Sequence, residues 1–326
     1  MKGRTTANPM EARSERALPT GEGWWYEPKW DGFRCLAFKD GARVELTAKS
    51  GKSLNRFFPE VVERLAAVPT ERFGLDGELL ARAGDRYAFE VLQARLHPAA
   101  SRIRRLAAET PATFAVFDML LDVNGRDMRR SPLRERHACL TEFLKAFGSP
   151  QLMGTPGTDQ PDLAQAWLDG GLVEGVVAKR LDGPYLEGER AMIKIKRLRS
   201  ADCVVGGFRY AQNSDVVGSL LLGLYDDAGL LNHVGFTSAF AGVDKTDLTR
   251  RLEALRGGPG FTGRAPGGPS RWSTERSAEW QALRPELVVE VTFDHVSDQR
   301  FRHGTRLRRF RPDKAPGQCR MEQLDA

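Results

Sequence analysis

What this chain lacks narrows its chemistry first. Its 326 residues include four cysteines, Cys35, Cys139, Cys203 and Cys319, which lie dozens of residues apart. That spacing suits neither a disulfide framework nor the paired ligands of a structural zinc site, so packing roles are expected for all of them. No uninterrupted apolar run approaches the roughly 20 residues of a spanning helix. The stretch from Met1 to Pro19 is polar and lacks the apolar core of a secretory signal. No membrane association is expected, and a cytoplasmic location follows.

What is present fits a globular chain with 41% hydrophobic and 28% charged residues, long enough for two domains with their own cores. A net charge of +6 and a pI of about 9.2 favour a polyanionic partner. The arginines are also placed in runs. Arg95, Arg102, Arg104 and Arg105 fall with His97 in a stretch free of acids, and six arginines crowd between Arg300 and Arg311 with no acid among them. Such runs release counter-ions from a phosphate backbone; the alternative is a solvated face of snorkelling side chains.

The stretch Glu27-Pro28-Lys29-Trp30-Asp31-Gly32-Phe33-Arg34 sets a lysine among a carboxylate, a turn glycine and an arginine. An ordinary lysine is protonated at neutral pH and reacts only when placed and helped to lose its proton. Gly32 permits a sharp turn or a close backbone approach, and Arg34 offers five donors to a sugar or a phosphate. Taken alone the pattern reads as a simple turn.

In order along the chain, the first twenty residues are polar and arginine-rich with little periodicity, and partial disorder is expected there. Trp30 to Phe38 reads as a strand, Lys39-Asp40-Gly41 as a hairpin turn and Arg43 to Thr47 as the return, with Lys29 at the entrance of the pair. Pro59 opens a helix that Pro69 closes. In Leu75-Asp76-Gly77-Glu78-Leu79-Leu80 an acidic pair interrupts an apolar strand; either something binds the carboxylates or the strand is a bulged edge. Asp118 inside the apolar strand Thr113 to Leu121 needs a partner. A helix opens at Ser131-Pro132 and runs to about Phe147, and another lies near Leu163 to Leu168. Val173 to Lys179 is a strand with one glutamate, Glu174. In Ala191 to Lys196 the alternation puts Lys194 and Lys196 on one face and Ile193 and Ile195 on the other. Two cations on one strand face imply an anion between them, or an edge strand with a charged outer face.

Together these residues resemble the covalent nucleotidyltransferases, and most closely the ATP-dependent DNA ligases of the small bacterial ligase C type. The ordered set is Lys29-x-Asp31-Gly32-x-Arg34, Asp76-Gly77-Glu78, Phe117-Asp118, Glu174-Gly175-Val176-Val177-x-Lys179 and Lys194-x-Lys196. The resemblance implies that Lys29 attacks the α-phosphate of ATP and carries AMP as a lysyl-AMP intermediate, with Asp31 in the same catalytic set. Glu27 then reads the adenine edge, Arg34 and Glu78 the ribose, and Phe117 stacks on the base. Glu174 helps to hold Mg2+ (or Mn2+), while Lys194 and Lys196 touch the α-phosphate and favour the free amine. The departure is Lys49, where the family usually has an arginine against the nick phosphate; lysine keeps the charge and loses the bidentate fork.

Beyond Arg199 short strands are expected over Val204 to Tyr210, Val216 to Tyr225, Leu230 to Ser238, Leu287 to Phe293 and Thr305 to Phe310. A helix from Asp244 to Leu255 and a Gly/Pro-rich loop from Gly257 to Ser270 interrupt them. Five strands and one helix fit an OB-type barrel. The expected fold is therefore α+β: a nucleotidyltransferase domain of antiparallel sheets with helices, ATP-grasp-like, over 1–199, and an OB-fold barrel over 200–326, with Lys196 to Asp202 as the hinge. Arg311-Pro312-Asp313-Lys314 resembles the family's last motif, in which Arg311 and Lys314 address the triphosphate and Asp313 a metal ion. Lys49, Arg102 and Arg306 are the candidates for DNA contact. The implied partner is nicked duplex DNA, with DNA-repair or end-joining proteins alongside, and the implied setting is a monomer at the bacterial nucleoid. An RNA ligase or a capping guanylyltransferase shares the lysine chemistry, and a non-catalytic OB-fold binding protein is the alternative from another class.

Overall fold

The computed structural model describes residues 6–170, 173–267 and 279–324; the end of the expected Gly/Pro-rich loop, residues 268–270, lies outside them. The chain forms two units, Met1–Arg197 and Leu198–Ala326. In chain order the first holds β1 (Ala12–Ser14), β2 (Trp24–Lys29), β3 (Phe33–Asp40), β4 (Arg43–Ala48), α1 (Pro59–Ala66) and β5 (Arg72–Leu80). A small hairpin of β6 (Arg82–Ala83) and β7 (Arg86–Tyr87) leads to α2 (Phe89–Arg95) and α3 (Ala100–Glu109). There follow β8 (Thr113–Leu121), α4 (Leu133–Phe147), β9 (Leu152–Gly154), α5 (Pro161–Gly170), β10 (Gly175–Arg180) and β11 (Met192–Lys196).

One sheet of this unit has four strands in the order β1-β11-β10-β2, the other five in the order β4-β3-β5-β8-β9. Period-two alternation sorts their faces. In the four-stranded sheet Tyr26, Val176, Ala178, Ile193 and Ile195 enter a core closed by Ala164 and Leu168 of α5. Glu27, Lys29, Val177, Lys194 and Lys196 therefore take the other face. In the five-stranded sheet Cys35, Ala37, Leu75 and Phe114 pack against Val61 and Leu65 of α1 and Phe143 of α4. Leu36 and Phe38 alternate with these and pack against Met10, Tyr185 and Met192, an apolar layer between the two sheets.

The second unit holds β12 (Arg199–Tyr210), β13 (Val217–Tyr225), β14 (Leu231–Ala239), α6 (Lys245–Glu253) and β15 (Gln281–Ala282). It continues with β16 (Val288–Phe293), the hairpin strands β17 (Val296–Ser297) and β18 (Arg300–Phe301), and β19 (Thr305–Phe310). The order β13-β14-β19-β16-β12, with β12 paired back to β13, closes a five-stranded ring. β14 and β19 run parallel and the neighbouring pairs antiparallel. Val204, Phe208, Leu220, Leu222, Val234, Val289 and Val291 fill the interior. α6 enters between β14 and the closing strands, its N-terminus capped by the Asp244 side chain on the Thr246 and Asp247 amides. This is the OB-type barrel expected from the strand count.

Four expectations need correction. The strand expected from Trp30 to Phe38 begins only at Phe33, because Trp30 to Gly32 are the passage from the four-stranded sheet, left at Lys29, to the five-stranded one. Gly32 makes that passage possible: a Cβ there would lie 2.2 Å from the Leu79 carbonyl oxygen. The leading residues are ordered from Thr6 on, since β1 pairs in parallel with β11 and Met10 is buried. Neither β5 nor β11 is an edge strand: β5 lies between β3 and β8, and β11 between β1 and β10. Arg199 to Asp202, expected to flex, are laddered to β16, which leaves Arg197 and Leu198 between β11 and β12. Among the described residues no helix is long and apolar enough to cross a membrane.

Candidate active site

Strand register assembles the site. Gly175 of β10 stands opposite Lys29 of β2 on one side and Lys196 of β11 on the other. In the next row Val177 stands between Glu27 and Lys194. Both rows face the five-stranded sheet. Gly175 cannot be larger, because a Cβ would meet the Ile195 carbonyl oxygen at 2.1 Å. A cavity of about 190 Å³ opens over these rows, lined among others by Glu27, Lys29, Arg34, Glu78, Phe117 and Lys194.

Glu174 joins the first row from its end. Its carboxylate accepts from the Lys29 ammonium through Oε2 and lies 2.9 Å from Lys196 Nζ through Oε1. Burial raises its proton affinity, but the two ammoniums outweigh that and hold it below the usual carboxylate range. Lys194 is pushed below the usual lysine range by burial, and by Lys29, Lys196 and Lys49 around it. The cluster therefore has positive charge to spare, which suits a phosphate group.

Glu27 is buried, and its partners were not foreseen. Lys179 Nζ lies 2.6 Å from Oε2 and His137 Nε2 3.3 Å from Oε1. Burial raises the Glu27 carboxyl, and Lys179 and His137 more than reverse the effect. Lys179 Nζ also lies 4.4 Å from the centroid of the Phe117 ring, and the Arg34 guanidinium 4.5 Å. Phe117 thus lines the same cavity as Glu27, with two cations over its ring.

Arg34 forms a fork with Asp76 at 2.6 Å through both nitrogen–oxygen pairs, and Tyr185 donates to Asp76 at 2.6 Å. This answers the puzzle of an acid in β5: its partner is the arginine of the neighbouring strand. Glu78, opposite Arg34 in the ladder, is pushed up to about 8 chiefly by burial. It is therefore largely a neutral carboxylic acid at pH 7, able to donate to a sugar hydroxyl. Asp31 lies in the turn between β2 and β3. Lys49 Nζ lies 3.0 Å from Glu11.

Several arginines serve the fold. Arg136 of α4 makes a buried fork with Asp118 at 2.7 and 3.0 Å. The signal was present, since Arg136 falls on the buried stripe of α4 with Leu133, Leu140 and Phe143. Arg95, counted with the basic run, is fully buried on Glu60 and the Phe57 carbonyl. Arg102, Arg104 and Arg105 remain exposed on α3. In the second unit Asp202 gathers Arg311 at 2.8 Å and Lys314 at 2.7 Å. Asp313 accepts from Arg311, which holds its carboxyl at about 2. Arg306 is exposed on β19, while Arg308 and Arg309 both reach Glu290.

Among the described residues no cluster of three acids, histidines or cysteines stands close enough to hold a metal ion alone. A single carboxylate facing a phosphate-sized space fits Mg2+, which keeps waters and binds through one or two carboxylates plus substrate phosphates. In the first unit the candidate is Glu174, both of whose oxygens are taken by Lys29 and Lys196. Asp313 is committed to Arg311, which it shares with Asp202.

Comparisons with known proteins agree with this geometry. Residues 6–196 match the family model described as ATP dependent DNA ligase domain, and residues 213–314 the ATP dependent DNA ligase C terminal region. DNA ligase C1 of Mycolicibacterium smegmatis is 42% identical, covering 97% of this chain and 93% of the relative. DNA ligase C of Mycobacterium tuberculosis is 39% identical, covering 98% and 93%. Among solved structures, the ligase domain of LigD from M. tuberculosis matches with a TM-score of 0.51 and 25% identity over 96% of this chain and 97% of that one.

Proposed function

We propose that this chain, which belongs to the ATP-dependent DNA ligase family, seals nicks between a 5′-phosphate and a 3′-hydroxyl in duplex DNA through AMP carried on Lys29. The observation that carries the residue assignment is the row Lys29–Gly175–Lys196 closed by Glu174. It sets one amine beside a carboxylate and a second ammonium, with Lys194 in the next row, the arrangement a transferring phosphoryl group needs for positioning and charge stabilisation.

In the first step Lys29 Nζ bonds to the α-phosphorus of ATP while the bond to the pyrophosphate oxygen breaks. The ammonium proton is released to solvent, favoured by the neighbouring Lys194 and Lys196 charges, while Glu174, whose Oε2 it touches, positions the amine. Lys194 and Lys196 stabilise the charge on the α-phosphate. Glu27, oriented by Lys179 and His137, accepts from the adenine amino group, and Glu78 addresses the ribose. In the second step an oxygen of the nick 5′-phosphate takes the AMP, breaking the P–N bond as the amine regains a proton. In the third the 3′-hydroxyl attacks the 5′-phosphorus and AMP departs. Glu174 would hold Mg2+ or Mn2+, which would supply charge neutralisation. Lys49 and Arg102 in the first unit and Arg306 in the second are assigned to the DNA backbone. Arg311 and Lys314 are the second unit's candidates for the leaving pyrophosphate.

Incubation with α-labelled ATP and magnesium tests the reading. Label is expected to stay on the denatured parent protein and to be absent from Lys29→Ala; equal labelling of both, or labelling by GTP in preference to ATP, overturns it.

A further inference from the structure

Asp202 of β12 and Glu290 of β16 stand directly opposite each other in the barrel, and both are buried. Like charges in that position destabilise a sheet unless cations answer them. Four cations do so, divided by origin. Glu290 takes Arg308 and Arg309 of β19, while Asp202 takes Arg311 and Lys314 of the turn that follows. Arg311 Nη1 lies 2.8 Å from Asp202 Oδ1 against 4.0 Å from Glu290 Oε2. The root of Asp202 is fixed as well. Besides the ladder to β16, the Gln323 side chain accepts from the Asp202 N–H at 2.9 Å and donates to the Asp202 carbonyl at 3.1 Å.

The turn that carries the two cations is tied by the Arg311 N–H on the Val288 carbonyl at 2.9 Å and the Lys314 N–H on the Arg311 carbonyl at 3.2 Å. Those bonds fix the backbone and leave the long side chains to be placed by their acids. Asp313 holds Arg311 through Nε and Nη2, and Asp202 takes Nη1 together with the Lys314 ammonium. The Asp202 side chain is 12% exposed, Arg311 18% and Lys314 23%, so the acid forms the floor and the cations the surface. Part of the guanidinium and most of the ammonium donors remain for an outside anion. We propose that Asp202 is a positioning residue for the first step: it sets Arg311 and Lys314 side by side to receive the leaving pyrophosphate, without touching it. Long cationic side chains lose rotamer freedom when they bind an anion, and a fixed carboxylate removes that cost in advance. This rests on the ligase reading and on the assignment of those two cations to pyrophosphate. A sheet stabilised for its own sake would have no use for two acids face to face.

The test starts from full-length protein already labelled on Lys29, which can lose its AMP in two ways. Pyrophosphate takes it back: an oxygen bonds to the phosphorus, the P–N bond breaks, the amine regains a proton and ATP leaves. A nicked duplex with a 5′-phosphate takes it forward with no pyrophosphate present. For Asp202→Asn, discharge by pyrophosphate should slow about 10- to 100-fold, the range expected when a positioning contact is lost, while discharge onto the nick keeps the parental rate. Asp202→Glu should recover part of the loss. In a chain carrying Arg311→Gln and Lys314→Gln, adding Asp202→Asn should change nothing further, because the acid acts through those two. If Asp202→Asn labels too poorly to be loaded, sealing of a nick that already carries AMP on its 5′-phosphate replaces the forward arm, and parental sealing supports the proposal. Equal slowing in both directions overturns it by making Asp202 a prop of the barrel. So does an unchanged discharge by pyrophosphate, or a faster one, which would make the carboxylate a restraint on the cations. A parental discharge by the Arg311→Gln, Lys314→Gln chain removes the cation assignment instead, and a parent that never labels removes the ligase reading.

Discussion

Lys29 and Glu174 are ion-paired across the end of β2 and β10, and Lys196 holds the other oxygen of the same carboxylate at 2.9 Å. The nucleophile is thus kept next to the group proposed to position it and to meet the metal. Glu174→Gln keeps the shape and removes the charge. Labelling of Lys29 by ATP is expected to slow about 100-fold or more, the usual cost of losing one charge-stabilising group, and extra magnesium should not restore it. Chelation of the metal should stop labelling of the parent. Parent-like labelling by the variant would remove Glu174 from the mechanism.

Lys179 and Glu27 test burial rather than chemistry. Lys179→Met leaves a buried carboxylate without its closest cation, which costs about 3–5 kcal/mol when one partner of a buried pair is removed. Tm should fall by many degrees. Adding Glu27→Gln should recover much of the loss of stability while ATP labelling stays poor, because the adenine contact is then missing. A Lys179→Met protein with unchanged melting would show that His137 suffices to hold Glu27.

Arg136 and Asp118 give the contrasting case. Arg136→Met should destabilise by a similar amount, about 3–5 kcal/mol, yet the folded fraction should label with ATP at the parental rate, because neither residue lines the cavity. Loss of labelling out of proportion to loss of fold would assign the pair a direct role.

Glu78 sets a pH dependence. Its folded value of about 8 lies above the ordinary value, so the folded state binds the proton more tightly than the unfolded chain does. Its contribution to stability is complete below the unfolded value near 4.5 and is lost as pH rises through about 8. Glu78→Gln should flatten that decline, so the variant gains on the parent from pH 6 to 9 in denaturant melts. Parallel stability profiles for parent and variant would refute the raised value.

The features legible in the sequence were those set by local periodicity. Alternation alone placed Lys194 and Lys196 against Ile193 and Ile195, and Pro59 marked the start of α1. The motif residues drew attention to Lys29, Glu78, Phe117 and Glu174; the cavity unites the first three, and Glu174 joins them through its contact with Lys29. What stayed hidden were the partners across elements. Arg34 with Asp76, Lys179 and His137 with Glu27, and Glu11 with Lys49 each depend on strand order and register, which a linear reading does not contain. The passage at Trp30 to Gly32 between two sheets escaped for the same reason: the residues on either side are equally β-like, and only the close approach of Gly32 to Leu79 marks the crossing. Arg95 misled because a buried arginine and a phosphate-binding one look alike until Glu60 is seen beside it.

The alignment of Lys29, Gly175 and Lys196 across three neighbouring strands bears on how such a chain can change over time. Each of the three strands is tolerant on its apolar side, where one aliphatic residue replaces another. None is tolerant in length. A single residue inserted or deleted within β2, β10 or β11 turns the amine, its carboxylate or its companion lysine toward the α5 core. Drift in this enzyme should accordingly accumulate as substitutions within the strands and as length changes only in the connections between them.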